Sequence, residues 1–154
     1  MYRPHWAMLP LLLCISLPAF AQSTPDARFI NLVDRIWQHD LEEYPLFATQ
    51  VGEHRYNDRL PKISVADSDR RYAARLQFLE ELVDIGRANL SPGRQIDFDI
   101  LRRLIRDELA EHEFGDHLTP INQRRGFHLT FPELPDDVPL EDLEDYENYI
   151  ARLQ

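Results

Sequence analysis

Apolar residues recur every three or four positions along much of this chain, and that spacing constrains its fold more than any other feature. Such a period places apolar side chains on one face of an α-helix. It predicts helices over about Pro25–Glu43 and Leu46–Val51, a third beginning after Ser64, and a fourth over roughly Ile96–Phe114. No segment shows sustained alternation of apolar and polar residues, so the sequence predicts an all-α protein.

Each long helix carries an apolar stripe that should face the core, and its ends are marked. The stripe residues are Phe29, Val33, Ile36, Trp37 and Leu41 in the first helix, Tyr72, Leu76, Leu79 and Val83 in the third, and Leu101, Leu104, Ile105 and Leu109 in the fourth. Gly52 and Gly115 suit the left-handed position that often follows a helix. Ser64 with Asp67 forms a partial capping box.

The helical pattern breaks between Asp116 and Pro139, where four prolines predict a long irregular connector. A last helix should begin near Leu140. Its apolar residues are Leu143, Tyr146, Tyr149, Ile150 and Leu153. This stripe continues almost to Gln154, so we expect it to pack on further chain. The pattern therefore predicts that the polypeptide is the N-terminal part of a larger helical domain.

The first residues have the pattern of a secretory signal peptide. Arg3 supplies a positive charge, Ala7–Leu17 is an apolar run of 11 residues, and Ala19–Ala21 is an A-x-A cleavage site. The run is too short to span a membrane. We expect residues 1–21 to be removed and residues 22–154 to be exported to the periplasm or the medium, with no membrane attachment. The single cysteine, Cys14, lies in the removed segment, so the exported chain is stabilised without disulfides.

The charge balance excludes nucleic acid as a partner. The chain carries 27 acidic and 17 basic side chains, a formal charge of −10, whereas phosphate backbones require a clustered basic surface. Eight carboxylates lie between residues 127 and 151 without an intervening Lys or Arg. They lack the spaced D-x-D-x-D-G pattern of a calcium loop. We interpret them as acids that favour helix N-termini, where the helix dipole is positive.

One short motif, HEFGDH over residues 112–117, resembles the start of the zinc-peptidase motif H-E-x-x-H. Zinc binding on a helix needs histidines four residues apart, on one face. Here the spacing is five residues, or about 140° around an intact helix, and Gly115 predicts a helix end inside the motif. We therefore predict no metal site and no catalytic residue. The weak metal candidates are His112, Glu113, Asp116 and His117.

The connector offers weak candidates for substrate contact. Arg124 and Arg125 could hold a carboxylate through paired hydrogen bonds, and His128 follows closely; a solvated loop is the alternative interpretation. Other chemistries are missing from the sequence. It has no glycine-rich phosphate loop, no G-x-S-x-G motif and no thiol nucleophile after residue 21.

Three stretches of sequence carry a resemblance to a known family. They are EEYPLFATQVGEHRYNDRLP (42–61), INQRRGFHLTFPELP (121–135) and EDYENYIARL (144–153). In this order they resemble the N-terminal part of the bacterial domain of unknown function 885 family. The resemblance implies an exported helical protein similar to zinc-dependent peptidases of the carboxypeptidase Taq type. The family's metal motif, of the form H-E-A-x-P-G-H-H, lies downstream of the matched region, so no metal or catalytic residue is carried over.

The expected function is that of an N-terminal fragment of a metallopeptidase-like protein, inactive alone. No cofactor is expected in this chain. Zinc, a peptide substrate and the missing C-terminal catalytic half are implied only for a full-length parent. The alternative is a stand-alone periplasmic helical binding or interaction module that uses the connector as its contact surface. A third possibility is folding that depends on a separately encoded catalytic half.

Overall fold

The computed structural model describes residues 23–124 and 126–154. The predicted signal peptide and the candidate Arg125 lie outside the described residues. Within the described ranges the regular elements are all helical, which confirms the all-α prediction. The α-helices are α1 (Pro25–Glu43), α2 (Pro45–Gln50), α3 (Val65–Ile85), α4 (Pro92–Glu113), α5 (Phe127–Thr130), α6 (Leu134–Asp137) and α7 (Leu143–Arg152). Short 3-10 helices are His54–Tyr56, Arg87–Asn89 and Asp116–Leu118.

Over the described residues, every helix is either too short or too polar to cross a bilayer.

Side-chain caps fix the starts of α1 and α3. The Thr24 hydroxyl accepts a hydrogen bond from the backbone N–H of Ala27 at 3.2 Å. The Ser64 hydroxyl accepts one from the backbone N–H of Asp67 at 3.1 Å, which confirms Ser64 as the cap of the third helix. Each bond satisfies an N–H group that has no partner within the first helical turn.

Two predicted helix starts need correction. Helix α4 begins at Pro92, one turn before the predicted Ile96, because proline is well suited to the first position of a helix, where its missing N–H costs nothing. Helix α7 begins at Leu143 rather than near Leu140. Its start is set by Asp142, whose carboxylate accepts from the backbone N–H of Asp145 at 3.0 Å. Asp142, Glu144 and Asp145 therefore lie at a helix N-terminus, as interpreted from the sequence.

The two predicted left-handed glycines are confirmed. Gly52 follows α2 with φ +83°, and Gly115 follows α4 with φ +76°. A side chain at such a φ is strained, so glycine is the residue that ends both helices at low cost.

The irregular connector is also confirmed in its main feature. Among the described residues between Asp116 and Pro139, the helical elements are one 3-10 turn and the two four-residue helices α5 and α6. Leu134 of α6 is buried and anchors this segment to the helical body.

Helices α1, α3 and α4 enclose one apolar core. Its buried members are Phe29, Leu32 and Ile36 from α1, Leu82 and Ile85 from α3, Leu90 from the turn before α4, and Phe98, Ile105 and Leu109 from α4. Burial of this apolar surface is the main term that stabilises the fold.

The predicted stripes were partly wrong. Five of their residues have side chains at the surface: Val33, Trp37, Leu76, Val83 and Leu104. Phe29 and Leu41 of the predicted α1 stripe are fully buried, but so are Leu32 and Leu82, the immediate neighbours of Val33 and Val83, which the stripes left out. The helical period defines a broad apolar band, but the angle at which a helix meets its neighbours decides which edge of that band is buried.

Helix α7 is attached to the rest of the chain by a buried guanidinium. Arg152 is 3% exposed, and its Nη2 donates to the Thr49 hydroxyl at 2.9 Å and to the Tyr56 carbonyl at 3.2 Å. Burial lowers the pKa of Arg152, because the charged form loses solvation. The other face of α7 remains exposed and carries Leu143, Tyr146, Ile150 and Leu153.

Replacing Leu82 should show how strongly the core depends on α3. We expect Leu82→Ala to lower the free energy of unfolding by about 2–5 kcal/mol, because the side chain is fully buried and its loss leaves a cavity. The adjacent Val83 is 58% exposed, so Val83→Ala should change stability by about 0.5 kcal/mol or less. Urea denaturation measures both. Equal effects would contradict the orientation of α3.

Candidate functional site

A polar cleft opens between α3, α4 and the turn that follows α4. Its cavity has a volume of about 210 Å³. The lining residues are Tyr44, Ser68, Arg71, Tyr72, Arg75, Glu108, Leu109, Glu111, His112, Asp116 and His117. Polar groups of both charges and two imidazoles converge here, which makes the cleft the best candidate for a functional site in the described structure.

The charged groups at the base of the cleft are held by Arg75. The guanidinium of this α3 residue contacts the Asp40 carboxylate of α1 at 2.5 Å and also pairs with the Glu108 carboxylate of α4. The Arg75 side chain is only 8% exposed. Burial raises the pKa of both Asp40 and Glu108, and the adjacent Arg75 opposes that rise. The negative charges of both carboxylates are therefore balanced by the same cation, the Arg75 guanidinium.

A second ion-pair group surrounds Glu43 at the end of α1. Its carboxylate pairs with Arg70 and lies 3.6 Å from Nη1 of Arg71. Burial raises the pKa of Glu43, but the hydrogen bond and charge of Arg70 outweigh burial and hold that pKa below its usual range. Arg71 also donates to the Lys62 carbonyl at 2.8 Å. Both arginines that line the cleft, Arg71 and Arg75, are thus already engaged by carboxylates.

The two histidines of the HEFGDH motif meet because α4 ends between them. Helix α4 stops at Glu113, and Gly115 takes a left-handed conformation with φ +76° and ψ +24°. The following turn reverses the chain and stacks the His117 ring on the His112 ring, with centroids 4.2 Å apart and planes 9° from parallel. The placement on nearly opposite faces that five-residue spacing gives on an intact helix does not occur here, because the helix ends inside the motif, as Gly115 predicted.

Helix α3 supplies partners for both ring nitrogens of His112. Nδ1 lies 3.1 Å from the Ser68 hydroxyl, and Nε2 lies 3.3 Å from Oδ1 of Asp69. The Tyr72 ring stacks on the same imidazole at 4.4 Å. Donor atoms of Asp69, His112 and His117 all lie within 4.8 Å of one another. We call these three residues the His–His–Asp cluster.

The other predicted site residues lie outside this cluster. Glu113 accepts a hydrogen bond from the Tyr72 hydroxyl at 3.0 Å. Asp116 lines the cleft beside the cluster. Arg124 and His128 are exposed and do not line the cleft. The predictions for substrate contact, and the prediction that the chain has no metal site, stay predictions.

Sequence reasoning missed the contribution of α3 to the site. More than forty residues separate Asp69 from His112, so no local motif joins them. A weaker signal was present, since Ser68, Tyr72 and Arg75 recur at i, i+4 and i+7 and therefore share one helical face. Polar residues that share one helical face, next to an apolar band, indicate a face that packs against other polar groups.

Comparison with known proteins gives one match. A family model described as "Bacterial protein of unknown function (DUF885)" matches residues 45–154. No curated protein matches the chain. No solved structure matches it. The matched range includes the whole His–His–Asp cluster.

Removing Arg75 should destabilise the protein in a pH-dependent way. We expect Arg75→Met to cost about 3 kcal/mol at pH 7, because it leaves the carboxylates of Asp40 and Glu108 partly buried without a cation. Burial then raises both pKa values without Arg75 to oppose it. The cost should shrink as the pH falls through these raised pKa values and the carboxyls become neutral.

Urea denaturation at pH 7 and at successively lower pH measures this effect. Arg103→Met is the matched control, because Arg103 forms an exposed pair with Asp107, and we expect it to change stability by about 0.5 kcal/mol or less. A cost for Arg75→Met that stays constant with pH would contradict the role assigned to the two carboxylates.

A side chain at Gly115 should weaken the turn that holds His117. We expect Gly115→Ala to cost about 1–2 kcal/mol, because φ of +76° is unfavourable for an L-residue even though the nearest atom to the added Cβ, Leu118 Cδ1, is 3.6 Å away. Gly93→Ala is the control. It lies in α4 with open space around a Cβ and should stabilise the chain by about 0.5–1 kcal/mol. Thermal denaturation distinguishes these opposite signs.

Proposed function

Since the chain belongs to the bacterial family of proteins of unknown function DUF885, we propose that it forms the N-terminal helical part of an exported, metallopeptidase-like protein. The proposed reaction of the whole protein is metal-assisted peptide hydrolysis, in line with the resemblance to carboxypeptidase Taq-type peptidases. The proposed role of this chain is structural: its helices pack against the catalytic half and border the substrate cleft. The chain alone does not hydrolyse peptides.

The observation that carries this proposal is the exposed apolar face of α7. Leu143 is 74% exposed, and Tyr146, Ile150 and Leu153 share its face. The helix is nevertheless fixed in place, because Arg152 on its other side is buried against Thr49. An ordered helix with an apolar face in solvent is typical of a surface that another folded element covers.

Two further features support the proposal. The pattern at residues 1–21 favours export. The polar cleft lies on the described helices themselves, so this chain would bring polar groups of its own to a site shared with a catalytic half. Clefts between two structural units are common places for substrate binding.

The test uses the chain together with a catalytic half. We expect the chain alone to show no peptidase activity and to bind a separately produced downstream half of a DUF885 protein that contains the H-E-A-x-P-G-H-H motif. Ile150→Glu should weaken this association at least about tenfold, since it places a charge in the apolar contact. Titration calorimetry measures the association, and peptide hydrolysis reports its effect.

Ile96→Glu provides the matched control, because Ile96 is 62% exposed on α4, a different helix. We expect this variant to associate as the unchanged chain does. Peptide hydrolysis by the chain alone would refute the proposal. Equal association by the Ile150→Glu and unchanged chains would refute the assigned surface.

A stand-alone binding module is the second candidate function, and the cleft is the observation that favours it. The buried Nδ1 of His117 has no hydrogen-bond partner within the described structure, which leaves one polar group in the cleft for a ligand to satisfy. This candidate predicts a cooperatively folded monomer that binds no catalytic half. Sedimentation of the chain alone and mixed with that half distinguishes the two functions.

A further inference from the structure

We propose that Asp69, His112 and His117 bind one Zn²⁺ ion at the edge of the polar cleft. This site is separate from the downstream motif that the family resemblance implies, and it does not depend on the proposed peptidase role. It is built entirely from α3, the last turn of α4 and the turn after Gly115. The proposal rests on donor chemistry, on distances and on one unsatisfied nitrogen.

The donor set suits Zn²⁺. Imidazole nitrogen and carboxylate oxygen bind this ion at about 2.0–2.2 Å, so two donors of a tetrahedral site lie about 3.3 Å apart. His112 Nε2 and Asp69 Oδ1 are already 3.3 Å apart. One edge of the coordination polyhedron is therefore formed. The third donor, from His117, lies within 4.8 Å of both and reaches the ion by a rotation of its ring.

The His112 ring is held for this task by groups that do not bind the ion. Ser68 Oγ contacts Nδ1 at 3.1 Å, which leaves Nε2 directed at Asp69. Tyr72 stacks on the ring and is itself held by its hydrogen bond to Glu113. Metal-binding histidines usually have such a partner on their second nitrogen, which fixes the tautomer and the ring orientation.

His117 supplies the strongest independent indication. Its Nδ1 is buried and, among the described residues, has no hydrogen-bond partner. A buried polar atom left in this state is unfavourable, because it has lost its hydrogen bonds to water without replacement. Rotation of the ring toward Asp69 and His112 would exchange the unsatisfied arrangement for a metal–nitrogen bond. The left-handed turn at Gly115 places the His117 ring directly against the His112 ring, beside the proposed ion position.

The surrounding charges permit a cation. The nearest arginines of the cleft are neutralised, Arg75 by Asp40 and Glu108 and Arg71 by Glu43. Three protein donors leave a fourth coordination position, as in zinc sites that bind water or a ligand. His112 and His117 both line the 210 Å³ cavity, so this position would be reached from the cleft.

The experiment is a Zn²⁺ titration of the whole chain, expressed without an affinity tag and followed by calorimetry and thermal denaturation. We expect one Zn²⁺ per chain and a raised melting temperature, with no such effect from Mg²⁺, which prefers all-oxygen sites. Asp69→Asn and His117→Asn should each weaken Zn²⁺ binding at least tenfold. Ser68→Ala should weaken it about 10–100-fold through the orientation of His112.

His128→Asn is the matched control, since it removes an exposed histidine that does not line the cleft and should leave the affinity unchanged. The Asp69 side chain is 62% exposed, so Asp69→Asn should fold even if His117→Asn does not. In NMR spectra of the ring nitrogens, Zn²⁺ should shift the signals of His112 and His117 alone. Absence of stoichiometric binding, or an equal loss in the His128 variant, would overturn the proposal.

The experiments can refute the zinc site and the proposed function independently of each other. A chain that binds Zn²⁺ but no catalytic half would retain the site and lose the proposed role. A chain that joins a catalytic half without binding Zn²⁺ through these residues would do the reverse.

Discussion

The arrangement of the three long helices depends on the buried guanidinium of Arg75. An apolar core tolerates small rotations of its helices, because hydrophobic contact has little directional preference. The ion pairs of Arg75 with Asp40 and Glu108 do not tolerate such rotations. They require one side chain of α3 to face α1 and α4 at the same time. Ser68 lies seven residues earlier, about two turns along the same face. Fixing Arg75 therefore also directs Ser68 toward the end of α4.

The features predicted correctly from the sequence are those decided by neighbours in the chain. The Ser64 cap, the left-handed Gly115 and the extent of α1 follow from contacts within a few residues. Which side of each helix is buried does not follow from local contacts, because it depends on where the partner helices lie. Leu82 and Val83 are adjacent apolar residues of α3, and the packing of α3 against α1 and α4 buries Leu82 and leaves Val83 exposed.

The candidate site was harder to predict for a related reason. Its two histidines are five residues apart and would lie on different faces of an intact helix, whereas the turn after Gly115 brings their rings together. A left-handed residue ends a helix, but the direction of the chain beyond it is set by tertiary contacts. Asp69 could not be predicted as a site residue from the sequence, since it meets His112 only when α3 and α4 pack together.

The turn at Gly115 also divides the chain into parts with different tolerance for changes in length. One residue inserted within α4 before His112 would rotate that ring by about 100° and advance it by about 1.5 Å, away from Asp69. An insertion beyond Thr119 would leave all three cluster residues in place, because every contact that positions them is made earlier in the chain. In proteins with the same fold and cluster, we expect insertions and deletions in the connector. We expect none within α3 or within α4 before His117, where they would displace a cluster residue.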